Sequence, residues 1–324
     1  MLTSRRNRIA TPCLALVLPL LLVSVAHAQR DAPNDWLQRM AAAVQTTNYE
    51  GTVIRMQDGG YEVLKVAHTV VDGVIRERVS IQEGNGLEII RNGNEVHCIL
   101  PDQESVLVEE WNDQSTLFSA LPSSDIRFGS EYDLAIVRED RVAGRKAGLL
   151  AIRPHDSFRF GYRIWMDVET GFPLQMQLVA DDGSIVEQVK FADISLGQEI
   201  PASDLTSSYS TENFRWFTQP SKTVTRTADS QWSNSNLPIG FRTISTQREE
   251  LPGSDAPVTR ILYSDGLAQV SVFIATNKGK KVSQRSRVGA SNSYSTEIGD
   301  YQVTAIGEVP ARTVEQIAIS MQPL

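Results

Sequence analysis

Polar and apolar residues alternate with period two over most of the chain, and helical spacing is clear at only two places. The first lies near residue 36. Asn34 is expected to cap it, Asp35 sits in its first turn, and Trp36, Leu37, Met40, Ala41 and Val44 form one apolar stripe. From residue 49 the period changes to two. Strands are expected over 49–57, 61–71, 74–81, 87–91, 95–100, 105–110, 132–137, 146–153, 162–168, 174–180 and 184–194. They are punctuated by Asp58-Gly59-Gly60, Asp72-Gly73, Asn92-Gly93-Asn94, Glu169-Thr170-Gly171 and Asp182-Gly183. Hairpin connections imply an antiparallel sheet. To bury one face it must curl, giving a half-barrel with the helix on its concave side. Residues 111–129 interrupt the pattern as a short helix and loop. Strands resume over 241–246, 258–263, 268–276, 291–298 and 301–309. After Pro310, Val314, Ile317, Ala318 and Met321 mark the second helix. The fold class is therefore mainly β: an unclosed antiparallel barrel with covering helices, followed by a smaller α+β domain.

The start of the chain belongs to neither part. Arg5, Arg6 and Arg8 precede an apolar stretch over 9–25, which ends at Ala26-His27-Ala28. This is a signal peptide over 1–28, with cleavage expected between Ala28 and Gln29. Pro12 and Pro19 break the stretch, and its length falls short of a membrane span. No later stretch reaches about 20 apolar residues. Cys13 lies inside the apolar stretch, so Cys98 is the one cysteine of the expected mature chain and is expected to be a buried free thiol. The half-barrel is assigned to 29–203, a polar linker to 204–226 and the second domain to 227–324. Phe214, Trp216 and Phe217 within the linker are expected to be buried against a neighbouring domain. The chain carries a net charge of −8, divided unevenly: −14 over 29–213 and +3 over 214–324.

Motifs for chemistry are missing. There is no G-x-S-x-G, G-x-x-x-x-G-K-[ST], H-E-x-x-H or C-x-x-C. His68, His97 and His155 lack metal-ligand spacing. His97 and Cys98 are strand neighbours pointing to opposite faces, as are Glu109 and Glu110. No catalytic residue, metal or cofactor is expected, and the chain is read as a non-enzyme. Two features could bind something. Lys278, Lys280, Lys281, Arg285 and Arg287 form a basic loop, either an anion site for lipid phosphates or acidic peptide, or an ordinary solvated loop. Trp111, Leu117, Phe118, Leu121, Phe158, Phe160 and Trp165 either line a cavity for an acyl chain or are plain core. The acidic balance and the export signal exclude nucleic acid.

Specific strings then carry a likeness. They are Asp72-Gly73-Val74-Ile75-Arg76-Glu77-Arg78, Glu88-Ile89-Ile90-Arg91, Val96-His97-Cys98 and Pro101-Asp102. Further on come Leu237-Pro238-Ile239-Gly240-Phe241, the run from Tyr263-Ser264-Asp265-Gly266 to Phe273-Ile274, and Gly307-Glu308-Val309-Pro310. In this order they resemble the MucB/RseB family over nearly all of the mature chain. Leu87 departs from the basic residue that members tend to have there. The resemblance implies a periplasmic negative regulator of an envelope-stress sigma factor. Such a regulator binds the periplasmic part of a membrane-spanning anti-sigma factor and shields it from site-1 proteolysis. Lipopolysaccharide or mislocalised lipoprotein releases it. The larger domain is implied to be similar to the lipoprotein carrier LolA; apart from the resemblance, a homo-oligomer is kept as a further partner state and the sequence leaves the oligomeric state open. The alternative reading is a periplasmic lipid or lipoprotein carrier of LolA type, which has no need of the second domain.

Overall fold

The computed structural model describes residues 32–111, 117, 130–218, 224–226, 231–249, 257–277 and 284–324. The expected cleavage point between Ala28 and Gln29 lies outside them. The first helix, α1, runs Pro33–Thr46. Six strands follow as a meander: β1 (Tyr49–Gln57), β2 (Gly60–Val71), β3 (Val74–Ile81), β4 (Glu88–Asn92), β5 (Glu95–Leu100) and β6 (Ser105–Glu110). A second meander comprises β7 (Tyr132–Val142), β8 (Arg145–Pro154), β9 (Gly161–Asp167), β10 (Pro173–Val179) and β11 (Ile185–Leu196). The two join where β1 pairs with β11. A short strand, β12 (Arg215–Thr218), adds parallel to β6. The resulting twelve-stranded order is β12-β6-β5-β4-β3-β2-β1-β11-β10-β9-β8-β7. Its ends, β12 and β7, do not pair with each other, so the sheet is unclosed.

The eleven expected strands are all present, because each is bounded by residues that can turn. Asp58 and Gly59, and Asp72 and Gly73, all adopt positive φ, the geometry of two-residue hairpins. Strand β7 runs five residues beyond the expected 137, since Ala143 (φ 47°) and Gly144 (φ 75°) form a similar turn. Alanine gives no turn signal, so its end was not legible. The helix also begins earlier than expected. Pro33 occupies the first helical position and Asp35 accepts a hydrogen bond from the Ala32 N–H at 3.2 Å, so Asn34 is not the cap.

Strands β8–β10 are covered on both faces. Leu149 and Trp165 join one apolar cluster with Tyr49, Phe172 and Phe191. Leu150, Ile164 and Met166 join another with Tyr162 and Met176. Helix α1 serves both, placing Ala43 and Val44 in the first cluster and Leu37 and Met40 in the second. Gly148 lets it sit close, since a Cβ there would stand 2.2 Å from the Trp36 ring.

The second sheet has the order β13-β15-β16-β17-β20-β19-β18. Its strands are β13 (Val224–Arg226), β15 (Arg242–Glu249), β16 (Val258–Ser264), β17 (Gln269–Thr276), β18 (Gln284–Val288), β19 (Ser291–Ile298) and β20 (Tyr301–Gly307). Helix α2 (Ala311–Ile319) buries Val314, Ile317 and Ala318 against Tyr263, Val272 and Val303. A two-stranded ladder of β14 (Trp232–Asn234) and β21 (Met321–Pro323) ties down the carboxy terminus. Ala32–Leu324 forms one compact unit.

Two expectations need correction here. Trp216 and Phe217 are not buried: they are 50% and 51% exposed on β12, and Phe214 is half-buried. The basic segment is not simply a loop either. Arg285 and Arg287 belong to β18, a strand too short and too polar to show a period.

Candidate functional site

The seam between the two sheets is built around one arginine. Arg159 follows β8 and is fully buried. Its Nε donates to Asp265 Oδ2 at 2.5 Å, and the Tyr132 hydroxyl donates to the same oxygen at 2.8 Å. The other guanidinium nitrogens donate to Asp156 and to the Ile239 carbonyl. Its planar face lies over Tyr132 (5.5 Å) and Phe241 (5.2 Å). Asp265 has its second oxygen committed to the turn after β16, accepting from the Leu267 and Ala268 N–H groups at 2.9 and 2.8 Å. Burial first, and then the Asp265 carboxylate, push the Tyr132 phenol far up, so it stays a donor at any physiological pH. Around this centre, Thr313 Oγ1 donates to the Phe158 carbonyl at 2.7 Å and the Gly289 N–H to Asp58 at 2.8 Å.

The first sheet holds further buried charge. His68 and Glu77 face each other across β2 and β3 with Nδ1 2.7 Å from Oε2, and the Tyr49 ring stacks on His68 at 4.6 Å. Glu88 on β4 accepts from Arg78, from the Ser207 hydroxyl and from both the N–H and hydroxyl of Ser208. Burial alone would raise its carboxyl, but the bonds from Ser208, Arg78 and Ser207 outweigh this and hold it below the usual range. These bonds clasp residues 207–208 to the outside of the sheet.

The sequence-derived sites do not assemble into one place. Leu117 and Trp165 share the first apolar cluster, whereas Phe160 lies in the second, on the other face of the strands. Trp111 sits at the end of β6, half-buried, with its indole on Glu109 at 2.7 Å. Phe158 lies at the seam, and Phe118 and Leu121 fall outside the described residues. Of the basic segment, Lys278, Lys280 and Lys281 also fall outside them. Arg285 is paired with Glu315 at 2.6 Å, and Arg287 lies 3.7 Å from Asp58. Cys98 is half-buried, and burial together with Glu109 pushes its thiol up to about 11, which removes it as a nucleophile. Among the described residues no group of His, Cys, Asp and Glu could hold a metal ion. No helix of the described residues is long and apolar enough to cross a membrane.

Sequence reasoning missed a cleft of about 710 Å³ at the seam-side ends of β8, β9 and β10. Arg153, Arg163, Ser157 and Asp181 are among its walls, and Arg312 of α2 reaches two of them: Ser157 Oγ at 2.6 Å and Asp181 at 3.2 Å. The only sequence signal was an arginine at the ends of two expected strands. Which strands lie side by side was not legible.

Known proteins match most of this chain. Residues 32–209 match the MucB/RseB N-terminal domain and residues 226–322 the MucB/RseB C-terminal domain. The sigma factor AlgU regulatory protein MucB of Pseudomonas aeruginosa is 31% identical over 323 residues, covering 97% of this chain and 98% of that protein. The sigma-E factor regulatory protein RseB of Escherichia coli K12 is 29% identical over 309 residues, covering 94% and 95%. Among solved structures, MucB in complex with MucA(peri) is similar with a TM-score of 0.68 and 30% identity, over 90% of this chain and 99% of that one. Two domain matches in order, over 32–209 and 226–322, with a relative 31% identical across both, settle the grouping: the chain belongs to the MucB/RseB family.

Proposed function

We propose that this protein is a periplasmic negative regulator of an extracytoplasmic-stress sigma factor. Residues 1–28 direct export and are removed after Ala28. The mature chain binds the periplasmic part of a membrane-spanning anti-sigma factor and shields it from site-1 proteolysis. Lipopolysaccharide or mislocalised lipoprotein releases it. The observation that carries this reading is the similarity, over 90% of the chain, to MucB captured with MucA(peri).

The physics of the seam supports a binding role. A regulator switched by lipid must bind lipid better in one arrangement than in another. Here the two sheets meet through hydrogen bonds and ion pairs as well as apolar contact, so their arrangement responds to charge. The exposed Trp216 and Phe217, with His97 edge-on to Trp216 at 5.2 Å, offer a contact surface for the partner on the sheet edge. Trp165 and Leu117 are buried in one apolar cluster, which supports an acyl-binding role for that part of the expected set.

The test is a pull-down of residues 29–324 with the periplasmic segment of a membrane-spanning anti-sigma factor from the same organism, alone and with lipopolysaccharide. Binding that lipopolysaccharide weakens, together with protection of that segment from the site-1 protease, is the expected result. Failure to bind the segment defeats the reading. Binding that no lipid weakens defeats the release step.

A further inference from the structure

We propose that the cleft at the ends of β8, β9 and β10 binds the phosphate of a lipid headgroup, and that Arg153 and Arg163 hold it; the assignment rests on the regulatory reading above and gives its lipid a place. Ala151 pairs with Arg163, and Arg163 with Gln177; Gly161 pairs with Val179. Paired residues of antiparallel strands share a face. Arg153, two residues on from Ala151, shares that face too. The floor between the two arginines is therefore made of Ala151 and Gly161, side chains too small to fill it.

The charges around the cleft are unevenly committed. Asp156 is bonded to Arg159, Asp181 to Arg312, and Asp182 caps the Ser184 N–H at 2.9 Å. Asp133 lies opposite Arg153 in the ladder but engages His155 at 3.0 Å. Arg153 and Arg163 line the cleft with no hydrogen-bond or ion-pair partner among the described residues, and Arg163 is half-buried. A half-buried guanidinium facing an open cleft offers five donors and no acceptor. That geometry matches phosphate oxygens two at a time.

The same sheet face decides between a lipid and an acidic peptide. Moving along β8 from Arg153 through Ala151, the next residue on this face is Leu149, paired with Trp165. Both belong to the apolar cluster that the first sheet encloses. On β8 and β9 the arginines at the mouth are followed by apolar side chains, which suits a phosphate that carries acyl chains, while β10 adds Gln175 and Gln177 to the same face, both tied to Gln188. A glutamate side chain on a peptide would have no use for the apolar side chains. Arg312 adds a link to the other sheet: a phosphate beside Asp181 competes for the same guanidinium that now bridges α2 to β10's following turn.

The experiment uses the mature chain in vesicle flotation, with phosphatidylcholine vesicles that contain or lack phosphatidic acid. Binding is expected only with phosphatidic acid, weakened at least about tenfold by Arg153→Gln with Arg163→Gln, since each charge-assisted bond is worth that much or more. The Lys pair at both positions should restore part of it. Arg153→Gln alone, at an exposed position, guards against a folding defect and should show a smaller loss. Undiminished binding by the double variant overturns the proposal. Inorganic phosphate that binds as tightly as the vesicles overturns the lipid assignment, and so does a glutamate-rich peptide that binds in their place and is lost with the same substitutions. Partner pull-down is read separately: vesicle binding that depends on the two arginines, in a protein that captures no anti-sigma segment, leaves this site standing and defeats the regulatory reading.

Discussion

Arg159 sets the energetics of the seam at the scale of a single residue. A guanidinium with no solvent contact is costly to bury, and Asp265, Asp156, the Ile239 carbonyl and two ring faces offset that cost together. Removing one partner leaves the other charge buried and unpaired. Arg159→Ala is therefore expected to destabilise the protein by about 3–5 kcal/mol. Arg159→Met combined with Asp265→Asn should recover most of this, because asparagine keeps the oxygen that accepts from Leu267 and Ala268 while removing the charge. Urea unfolding midpoints of the three proteins check the order. A double variant no better than the single would mean that packing, not charge, dominates at Arg159. The same accounting explains why several of the strings that carry the family likeness matter: Glu77, Glu88, Arg91 and Asp265, all within them, are buried.

At the scale of elements, the long strands were legible and most short ones were not, β4 being legible because Asn92-Gly93 closes it in a hairpin. Period two, closed by Asp-Gly pairs, marks β1–β3 without ambiguity, and the register that follows buries Tyr49, Leu64 and Val79 on one face. Strands β12, β13, β14, β18 and β21 have three to five residues each, too few for a period. They exist because a neighbour supplies the ladder, which no local pattern reports. The candidate site was less legible for the same reason. Arg153 and Arg163 lie ten residues apart, and only the β8–β9 register makes them neighbours. Helix α1 offers a test of how such contacts are set. Its Trp36 ring occupies the space a side chain at Gly148 would need. Gly148→Val is expected to displace α1 and cost about 1–3 kcal/mol, although valine suits a strand better than glycine. Trp36→Ala in the same background should relieve much of the clash. Thermal unfolding with tryptophan fluorescence follows both; a stabilised Gly148→Val would show that the helix does not need this close approach.

At the scale of the whole molecule, the two sheets meet across acids as well as across the Arg159 pair. Glu187 on β11 is half-buried. Burial raises its carboxyl above the ordinary value, the facing Glu308 after β20 and Asp58 raise it further, and Arg55 partly opposes them. Glu308 itself is raised by burial. The sign of the consequence follows from proton counts. A carboxyl whose folded value lies above its unfolded one holds a proton in the folded state after the unfolded chain has lost it. The stability this group contributes is full below the unfolded value of about 4.3 and is lost as pH rises through the folded value. Ionising both acids places like charges from opposite sheets together, so the seam carries the loss. Glu187→Gln is expected to flatten the fall in stability as the pH rises above that unfolded value and to raise the melting temperature at neutral pH. Melting temperatures of the wild type and of the variant, measured across this range, are the check. Parallel curves would place the raised value outside the seam's energetics. A flattened curve would show that the contact between the sheets tightens in mild acid, the direction in which a partner that needs them apart would bind less well.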